Sequence, residues 1–376
     1  MIYLDNAATS YPKPPQVIRA MAGTLDKLGA NPGRSGHRLS LCAGRIIQRC
    51  REELADLFGV ANPERVIFTG SCTESLNLAI GGMLHQGDEV VVSHAEHNAV
   101  MRPLRRWEKL GQITVRIMQP DATGVIQPHA LQRCITPHTA LVILCHASNV
   151  TGILQPAARL GAVCRENGVP FLVDAAQTAG VIDLGLDTLQ ADMIAMPGHK
   201  GLLGPHGTGV LLLREGIDPE PMLCGGTGSL SESADQPLLL PDRYESGTLN
   251  LPGIAGLLAG TRFVRAHLSE IREHEHHLNQ RLRDHLLNTP DIRLLGHPDA
   301  PCIGLTSFIH TSLDAGEISD ALDANGFAVR SGLHCAPSIH SWLGTLRSGA
   351  VRASVGIYNT EDDVDAFSLI LSRILR

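Results

Sequence analysis

The sequence contains no long apolar run, no run of basic residues and no N-terminal leader pattern. No apolar stretch reaches the roughly 18 residues of a membrane-spanning helix, so we expect no membrane partner. The net charge of −7, without a basic run to follow phosphates, argues against nucleic-acid binding. The first residues, MIYLDNAATS, lack both the charged and the apolar part of a signal peptide.

The cysteines also lack a recognisable pattern. There are nine of them, scattered along the chain, and no two form a Cys-x-x-Cys pair. Disulfide frameworks and structural zinc sites are therefore not expected, and the predicted location is a reducing cytoplasm. The run EHEHH at 273–277 resembles a metal-binding tract, but it falls within a long helical pattern. We interpret it as a solvated helix face and predict no metal site.

Seven short apolar segments predict strands. Most are continuous rather than alternating runs, which is typical of parallel strands that are covered on both faces. Helical patterns fall between them, at 72–84, 98–110 and 156–167, so the predicted fold class is α/β. The strand segments are RVIFT (65–69), DEVVVS (88–93), ITVRIMQ (113–119), ALVILCH (140–146), VPFLVDAA (169–176), DMIAM (192–196) and TGVLLLR (208–214).

The length of 376 residues exceeds what one simple core accommodates, so two domains are expected. After Pro252 a helical pattern continues to about Leu287, and shorter strand and helix segments follow it. We predict a large α/β domain over residues 15–257. Residues 1–14 and 258–376 are predicted to form a smaller α+β domain.

Lysine is scarce, which makes each lysine informative. Of 31 basic residues only four are lysines, namely Lys13, Lys27, Lys109 and Lys200. Lys200 lies in PGHKGLLGPHGTG, directly after a predicted strand and among glycines that let the backbone approach a ligand closely. A partly desolvated amine at this position can form a Schiff base. For this segment alone, a surface lysine in a turn is an equal alternative.

Two other segments carry polar residues at the ends of predicted strands. Asp174 ends an apolar run, and a carboxylate at the carboxyl end of a strand can keep a bound pyridine nitrogen protonated. In FTGSCTES (68–75) a strand ends at Thr69 and a helix begins near Ser71 or Thr73, and a helix start can bind an anion. Either segment alone could simply cap a helix. With Lys200, they indicate a site for pyridoxal 5′-phosphate (PLP).

At this point the sequence resembles the class V aminotransferase superfamily of fold type I PLP enzymes, and within it the cysteine desulfurase and selenocysteine lyase branch. The resemblance extends over almost the whole chain, and its motifs are specific as a set. They are YLDNAAT (3–9), RSGHRLS (34–40), SCTES (71–75), EHNA (96–99), ASNVTG (147–152), DAAQ (174–177), GHKGLLGPHGTG (198–209), ESGTLN (245–250), RSGLHCA (330–336) and VRASVGIYNT (351–360).

The resemblance implies a PLP cofactor held on Lys200, in a large domain with a mainly parallel seven-stranded sheet and a smaller α+β domain. It implies that Asp174 pairs with the pyridine nitrogen, that Gln177 bonds the ring O3′, and that His97 stacks on the ring and shuttles protons. The implied phosphate ligands are Cys72, Thr73, His199 and, from the second subunit of a homodimer, Thr248. The implied substrate ligands are Asn149 (also near the cofactor) and Arg352 for the carboxylate, with Arg34, His37, Arg330 and His334 at the entrance.

Cys335 is the residue that selects the reaction. It follows His334 and lies near Arg330, and positive neighbours favour a thiolate, although a structural cysteine is the alternative. The segment resembles the group II form, with the cysteine on a short, ordered loop. The main prediction is therefore an L-cysteine desulfurase that forms a persulfide on Cys335, releases alanine and passes its sulfur to an acceptor protein that comes to the site.

Other functions stay open from the sequence. A selenocysteine lyase would need less help from Cys335, because a selenol is already ionised at neutral pH. A class V transaminase or another PLP lyase would not need this thiol, and a non-enzymatic scaffold would not bind PLP. The chain also departs from the family at Pro197, which offers neither a hydroxyl nor an N–H group to a phosphate. Phosphate binding would then depend on Thr73, His199 and the helix start.

Overall fold

The computed structural model describes residues 1–32, 36–230 and 232–375. Its strands are β1 (Ile2–Tyr3), β2 (Val66–Thr69), β3 (Glu89–Ser93), β4 (Thr114–Met118), β5 (Thr139–Cys145), β6 (Phe171–Asp174), β7 (Met193–Pro197), β8 (Gly209–Leu213), β9 (Ile292–Leu295), β10 (Leu305–His310), β11 (Phe327–Ala328), β12 (Arg330–Gly332) and β13 (Ala350–Ser354). Its α-helices are α1 (Pro15–Lys27), α2 (Arg38–Phe58), α3 (Cys72–Met83), α4 (Asn98–Lys109), α5 (Pro128–Cys134), α6 (Ala157–Glu166), α7 (Leu251–Leu287), α8 (Ala315–Ala324), α9 (Pro337–Trp342) and α10 (Glu361–Ile374).

A seven-stranded sheet forms the centre of the molecule, in the order β2-β8-β7-β6-β5-β3-β4. All seven strands predicted from the sequence are present, and all of them lie in this sheet. The pairs from β7 through β6, β5 and β3 to β4 are parallel. Only β8 runs against its neighbours β2 and β7. The predicted α/β class with a mainly parallel sheet is therefore confirmed.

The two faces of this sheet are both buried, which explains the continuous apolar runs. In β3, Val91 packs in one hydrophobic cluster, with residues of α2, α5 and α6. Its neighbours Val90 and Val92 pack in a second cluster, with residues of α3 and α4. Because successive side chains of a strand point to opposite faces, a strand with helices on both sides needs apolar residues at every position.

A second sheet, antiparallel and in the order β12-β13-β10-β9, follows later in the chain. Its core is shared with α8, α10 and the C-terminal part of α7. The N-terminal β1 joins this part of the molecule by pairing with β11. Helix α7 connects it to the large sheet and is kinked at His267, whose backbone leaves the helical region. The two-domain division with boundaries at 14 and 257 stays a prediction. Among the described residues no helix has the length and apolar character needed to cross a membrane.

A buried ion pair anchors the edge of the large sheet. Both guanidinium NH groups of Arg51 on α2 donate to the Glu245 carboxylate, at 2.9 and 2.7 Å, and both side chains are almost completely buried. Glu245 also accepts the backbone N–H of Phe68 in β2 at 2.7 Å, and the guanidinium lies 4.7 Å above the Phe68 ring. The pair therefore joins α2, β2 and the segment before α7.

We expect Arg51→Met to lower the free energy of unfolding by about 3 to 5 kcal/mol, because it leaves the Glu245 carboxylate buried without its counter-charge. The double variant with Glu245→Met removes both charges and should regain a large part of this loss. Urea denaturation of the parent, both single variants and the double variant measures the coupling. If the double variant loses as much as the two single variants added together, the ion pair contributes no coupling.

Candidate active site

A cavity of about 690 Å³, including its solvent-open part, lies at the carboxyl ends of the parallel strands. This is where α/β sheets bind their ligands. The sequence-predicted residues that line it are Cys72, Thr73, His97, Asn149, Asp174, Gln177, His199 and Lys200. Other lining residues include Ser71, Leu76, Cys145 and Pro197. The structure thus brings together residues that are up to 128 positions apart, from Cys72 to Lys200.

One wall of the cavity is the first turn of α3, which begins at Cys72 as predicted. Ser71 caps the helix by accepting the N–H of Glu74 at 3.2 Å. Strand β8, the neighbour of β2 in the sheet, begins so close to this turn that a Cβ on its first residue, Gly209, would lie 2.3 Å from the Ser71 carbonyl carbon. The first N–H groups of a helix have no intrahelical acceptor and carry partial positive charge. Those of Cys72 and Thr73 lie at the cavity wall and are suited to an anion.

Asp174 is the last residue of β6 and is 4% exposed. One carboxylate oxygen accepts the N–H of Ala176 at 2.9 Å, and the Cys72 thiol lies 3.7 Å from the same oxygen. The Cys72 side chain is thus directed to the carboxylate, which leaves only its backbone N–H for an anion. Burial and the nearby carboxylate raise the pKa of the Cys72 thiol well above its usual value, so this thiol is neutral.

Lys200 is held at the cavity by the N-terminal segment. Its carbonyl accepts the Ser10 hydroxyl at 3.0 Å, and the His199 carbonyl accepts the Lys13 amine at 2.7 Å. Burial lowers the pKa of Lys200, and the charge of Arg352 adds to this effect, against the opposite influence of the Asp174 carboxylate. A lower pKa raises the fraction of neutral amine, which is the nucleophilic form.

Three further cavity residues carry polar side chains. His97 caps α4, accepting the N–H of Ala99 on Nδ1 at 3.0 Å, and burial lowers its pKa. Gln177 donates its amide N–H to the Ala7 carbonyl at 3.0 Å. His199 stacks on His206 with ring centroids 4.9 Å apart, and burial lowers its pKa to about 4. The buried Nδ1 of His199 has no hydrogen-bond partner among the described residues.

Behind the cavity lies Arg352 on β13, one of the largest fully buried side chains. It donates to the Asn149 carbonyl at 2.9 Å and to the Asp5 carboxylate at 2.8 Å. Asn149 in turn donates its amide N–H to the His334 carbonyl at 2.6 Å. Within the described part of the chain, the Arg352 Nε and the Asn149 Oδ1 have no partner. The free Nε–H of Arg352 is a donor suited to a carboxylate, whereas the Asn149 Oδ1 is an acceptor and suits an N–H or O–H group of a ligand.

The Cys335 loop is short and fixed. His334 and Cys335 both have positive φ, at +50° and +57°, in the left-handed region that L-residues rarely adopt. The Cys335 carbonyl accepts the N–H of Asn98 at 2.8 Å, which ties the loop to the start of α4. The Cys335 side chain is exposed, whereas His334 is 4% exposed and stacks on His340. Burial, aided by Arg352, lowers the pKa of His334 to about 3, so this histidine is neutral.

The remaining predicted residues that the structure describes do not line the cavity. Arg330 is half-buried on β12, opposite Arg352 in the strand register. His37 is exposed and caps α2 by accepting the N–H of Ser40 at 3.3 Å. Thr248 is exposed in a separate hollow near Arg51, as a residue offered to a second subunit would be. Arg34 lies outside the described residues.

Sequence reasoning missed Glu96, which precedes His97 in the EHNA motif. It is fully buried between the ends of β3 and β5, where one oxygen accepts the Ser93 hydroxyl at 2.6 Å and the Cys145 N–H at 2.7 Å. Its other oxygen has no partner among the described residues. Burial raises the pKa of Glu96 to about 8. The only sequence signal was an acidic residue beside a candidate catalytic histidine.

We expect Glu96→Gln to become relatively more stable than the parent as the pH rises. The carboxyl is protonated in the folded state up to about pH 8 but ionises near 4.5 when unfolded, so the folded state binds more protons in this window. As the pH rises from 4.5 to about 8, the free energy of unfolding of the parent therefore falls by up to roughly 4 kcal/mol, whereas that of the glutamine variant does not. Urea titrations at pH 5, 6, 7 and 8 measure the difference. A difference that is constant with pH would contradict a buried neutral carboxyl.

The arrangement fits PLP. An anion site at the α3 start suits a phosphate, and the buried Asp174 carboxylate suits a protonated ring nitrogen. Lys200 supplies an amine in the wall of the same cavity. The partnerless His199 Nδ1 and Asn149 Oδ1 are polar atoms that the described residues leave for a ligand. Pro197 lines the cavity without an N–H donor, so the anion site depends on the helix start and His199.

Comparisons with known proteins agree with this geometry. The family model for aminotransferase class V matches residues 2–367. A probable cysteine desulfurase of Methanothermobacter thermautotrophicus is 34% identical over 99% of this chain and 94% of its own length. The apo structure of a cysteine desulfurase from Thermococcus onnurineus is 34% identical with a TM-score of 0.91, covering 99% of this chain and 94% of that one. The Escherichia coli cysteine desulfurase CsdA (S-sulfonic acid) is 29% identical with a TM-score of 0.90, with the same coverage.

Proposed function

Because the chain belongs to the class V aminotransferase family, we propose that it is a PLP-dependent cysteine desulfurase that converts L-cysteine to L-alanine. The single observation that carries the proposal is an exposed cysteine, Cys335, on a fixed loop next to a cavity that contains Lys200. A transaminase needs the lysine but has no use for the thiol. The curated relatives and solved structures described above support the same reaction.

We propose that Lys200 holds PLP covalently, with Asp174 at the ring nitrogen and Gln177 at the ring hydroxyl. His97 would lie against the ring, and Thr73, His199 and the backbone of Cys72 would hold the phosphate. When bound, PLP supplies an electron sink for the substrate carbon. The neutral amine of Lys200, released from its covalent role, then takes and returns the proton at the substrate Cα.

Arg352 provides the positive charge for the substrate carboxylate. It is buried, and only one carboxylate, that of Asp5, pairs with it among the described residues. A buried cation that retains a free Nε gains most from a second anion, since charge-assisted hydrogen bonds are strong where water is excluded. Asn149, fixed by its bond to the His334 carbonyl, positions this guanidinium by accepting from it on its backbone carbonyl, and its free Oδ1 can accept a hydrogen bond from an N–H or O–H group of the ligand.

Cys335 accepts the sulfur. Its thiolate attacks the substrate Sγ, a new S–S bond forms, and the C–S bond breaks with its electron pair remaining on the carbon side. Protonation of that carbon yields alanine, and Cys335 carries the persulfide. No external oxidant or reductant is needed, because the thiolate is oxidised as the substrate carbon is reduced.

We propose further that the protein is a homodimer and that it is located in the cytoplasm. A homodimer would bring Thr248 of one subunit to the phosphate of the other, which is consistent with its exposure outside its own cavity. All nine cysteines are free, which fits a reducing compartment such as the cytoplasm.

The proposal is tested by incubating the PLP-loaded protein with L-cysteine and measuring alanine. We expect alanine in stoichiometric ratio to the sulfide released in the presence of a small thiol. Without the thiol, peptide mass analysis should find one additional sulfur atom on the peptide that contains Cys335. Formation of 3-mercaptopyruvate, the keto acid that retains the sulfur, together with pyridoxamine phosphate would instead assign a transaminase.

A further inference from the structure

A stripe of positive charge runs along the exposed face of α4. Arg102, Arg105, Arg106 and Lys109 are spaced at i, i+3, i+4 and i+7, so they share one face of the helix. All four are exposed, and they extend over about 10 Å at the helical rise per residue. Together with Met101 and Leu110 they line a surface groove of about 1200 Å³, including its solvent-open side. We call this surface the basic groove.

The charges of the basic groove are largely uncompensated. Arg105 pairs with Glu108 on the same helix. Arg102, Arg106 and Lys109 form no ion pair with any residue that the structure describes. Like charges at i and i+4 destabilise a helix, and although the helix dipole favours Arg106 and Lys109 in the last turn, it does not favour Arg102 nearer the start. In a chain with a net charge of −7, a stripe of four exposed cations with one ion pair among the described residues indicates an anionic partner.

The basic groove ends at the predicted sulfur-carrying residue. Its lining includes Asn98 at the start of α4, and Pro337 and Ser338 at the start of α9. The N–H of Asn98 donates to the Cys335 carbonyl, and Pro337 is two residues after Cys335. The exposed thiol and the cationic stripe therefore belong to one continuous surface.

The Cys335 loop cannot carry sulfur to a distant acceptor. It is bounded by β12, which ends at Gly332, and by α9, which begins at Pro337. Its backbone is fixed by the bond to Asn98 and by the bond of the His334 carbonyl to Asn149. An acceptor must therefore approach this surface and place its own nucleophile at Cys335.

We propose that the basic groove docks the acidic face of a sulfur-acceptor protein whose thiol takes the sulfur from Cys335. The proposal rests on the proposed desulfurase function. In the transfer, the acceptor thiolate attacks the outer sulfur of the Cys335 persulfide. A new S–S bond forms on the acceptor, the old S–S bond breaks, and Cys335 leaves as a thiolate. Charge complementarity orients the acceptor and raises its rate of association.

The test uses synthetic ten-residue peptides with one cysteine flanked by four glutamates, four glutamines or four lysines. The readout is the second-order rate constant of alanine formation from cysteine with each peptide, divided by its thiolate fraction. At low salt the acidic peptide should react about tenfold faster than the neutral one, and the lysine peptide more slowly than either. At 0.5 M NaCl the rates should converge to within about twofold.

The variant Arg102→Gln/Arg106→Gln/Lys109→Gln should lose about tenfold in rate with the acidic peptide, while its rate with a small neutral thiol changes less than about twofold. The matched control is Arg133→Gln/Arg159→Gln/Arg165→Gln. It removes the same charge from exposed positions on α5 and α6, helices that pack on the opposite face of the large sheet. The control should keep the preference for the acidic peptide.

The same peptides with serine in place of cysteine, carrying a fluorescent label, report binding without chemistry. Fluorescence anisotropy should show that the acidic serine peptide binds more tightly to the parent than to the Arg102→Gln/Arg106→Gln/Lys109→Gln variant. Equal binding and equal rates for the three peptides, or an equal loss in the control variant, would overturn the docking site. Failure of the desulfurase function is distinguished by the absence of alanine formation with the small thiol. In that case the anisotropy measurement still shows whether the basic groove binds the acidic peptide.

Discussion

Lys200→Ala is expected to lower alanine formation from L-cysteine by about 10³-fold or more, the largest effect of any single substitution that we predict. Among the described residues, Lys200 is the only lysine in the cavity wall. The variant removes both the group that would hold PLP and the base that would move the Cα proton. Steady-state alanine formation, measured with added PLP, gives the ratio of kcat/KM.

The four lysines of the chain provide the control. Lys27 is exposed on α1, away from the cavity lining, and Lys27→Ala should retain full activity. Lys200→Arg keeps the positive charge but cannot supply a neutral amine, so it should be as inactive as the alanine variant. Borohydride treatment of the parent should attach the cofactor mass to the peptide containing Lys200, with the loss of an absorbance band near ~420 nm. A Lys200→Ala protein that turns over cysteine at the parent rate would exclude this role.

Cys335→Ala is expected to lower alanine formation from L-cysteine by at least about 10²-fold, because no other group on the fixed loop can accept the sulfur. With selenocysteine the loss should be much smaller, within about tenfold. A selenol is ionised at neutral pH and leaves more readily than a thiol, so it depends less on attack by Cys335. Comparing kcat/KM for the two amino acids in one preparation measures both effects.

Cys224 is the matched control, since it is the only other exposed cysteine in the part of the chain that the structure describes. Cys224→Ala should form alanine at the parent rate and still accumulate a persulfide on Cys335. If Cys335→Ala releases sulfide from cysteine at full rate, the sulfur does not pass through this thiol. Equal losses with cysteine and selenocysteine would show that Cys335 acts on substrate binding rather than on the sulfur atom.

Local patterns were sufficient for most of the fold and for the centre of the site. The seven strands could be predicted because parallel strands covered by helices on both faces require uninterrupted apolar runs. The start of α3 could be predicted because Ser71 and Glu74 are typical of a helix N-terminus. Lys200 and Asp174 stood out because Asp174 ends a strand and Lys200 closely follows one, and ligands bind at that edge of an α/β sheet.

The sequence by itself thus determined the secondary structure, the sheet and the candidate cofactor site, since these depend on periodicity and on the residue types at strand and helix ends. Only the tertiary structure decided which distant residues became neighbours. Asp5 pairs with Arg352, 347 positions away, and Asn98 holds Cys335, although neither segment carries a local sign of its partner. The burial that raises the pKa of Glu96, and the groove that joins α4 to the Cys335 loop, likewise arise from packing. Periodicity specifies which face of an element is buried, but not which other element covers it.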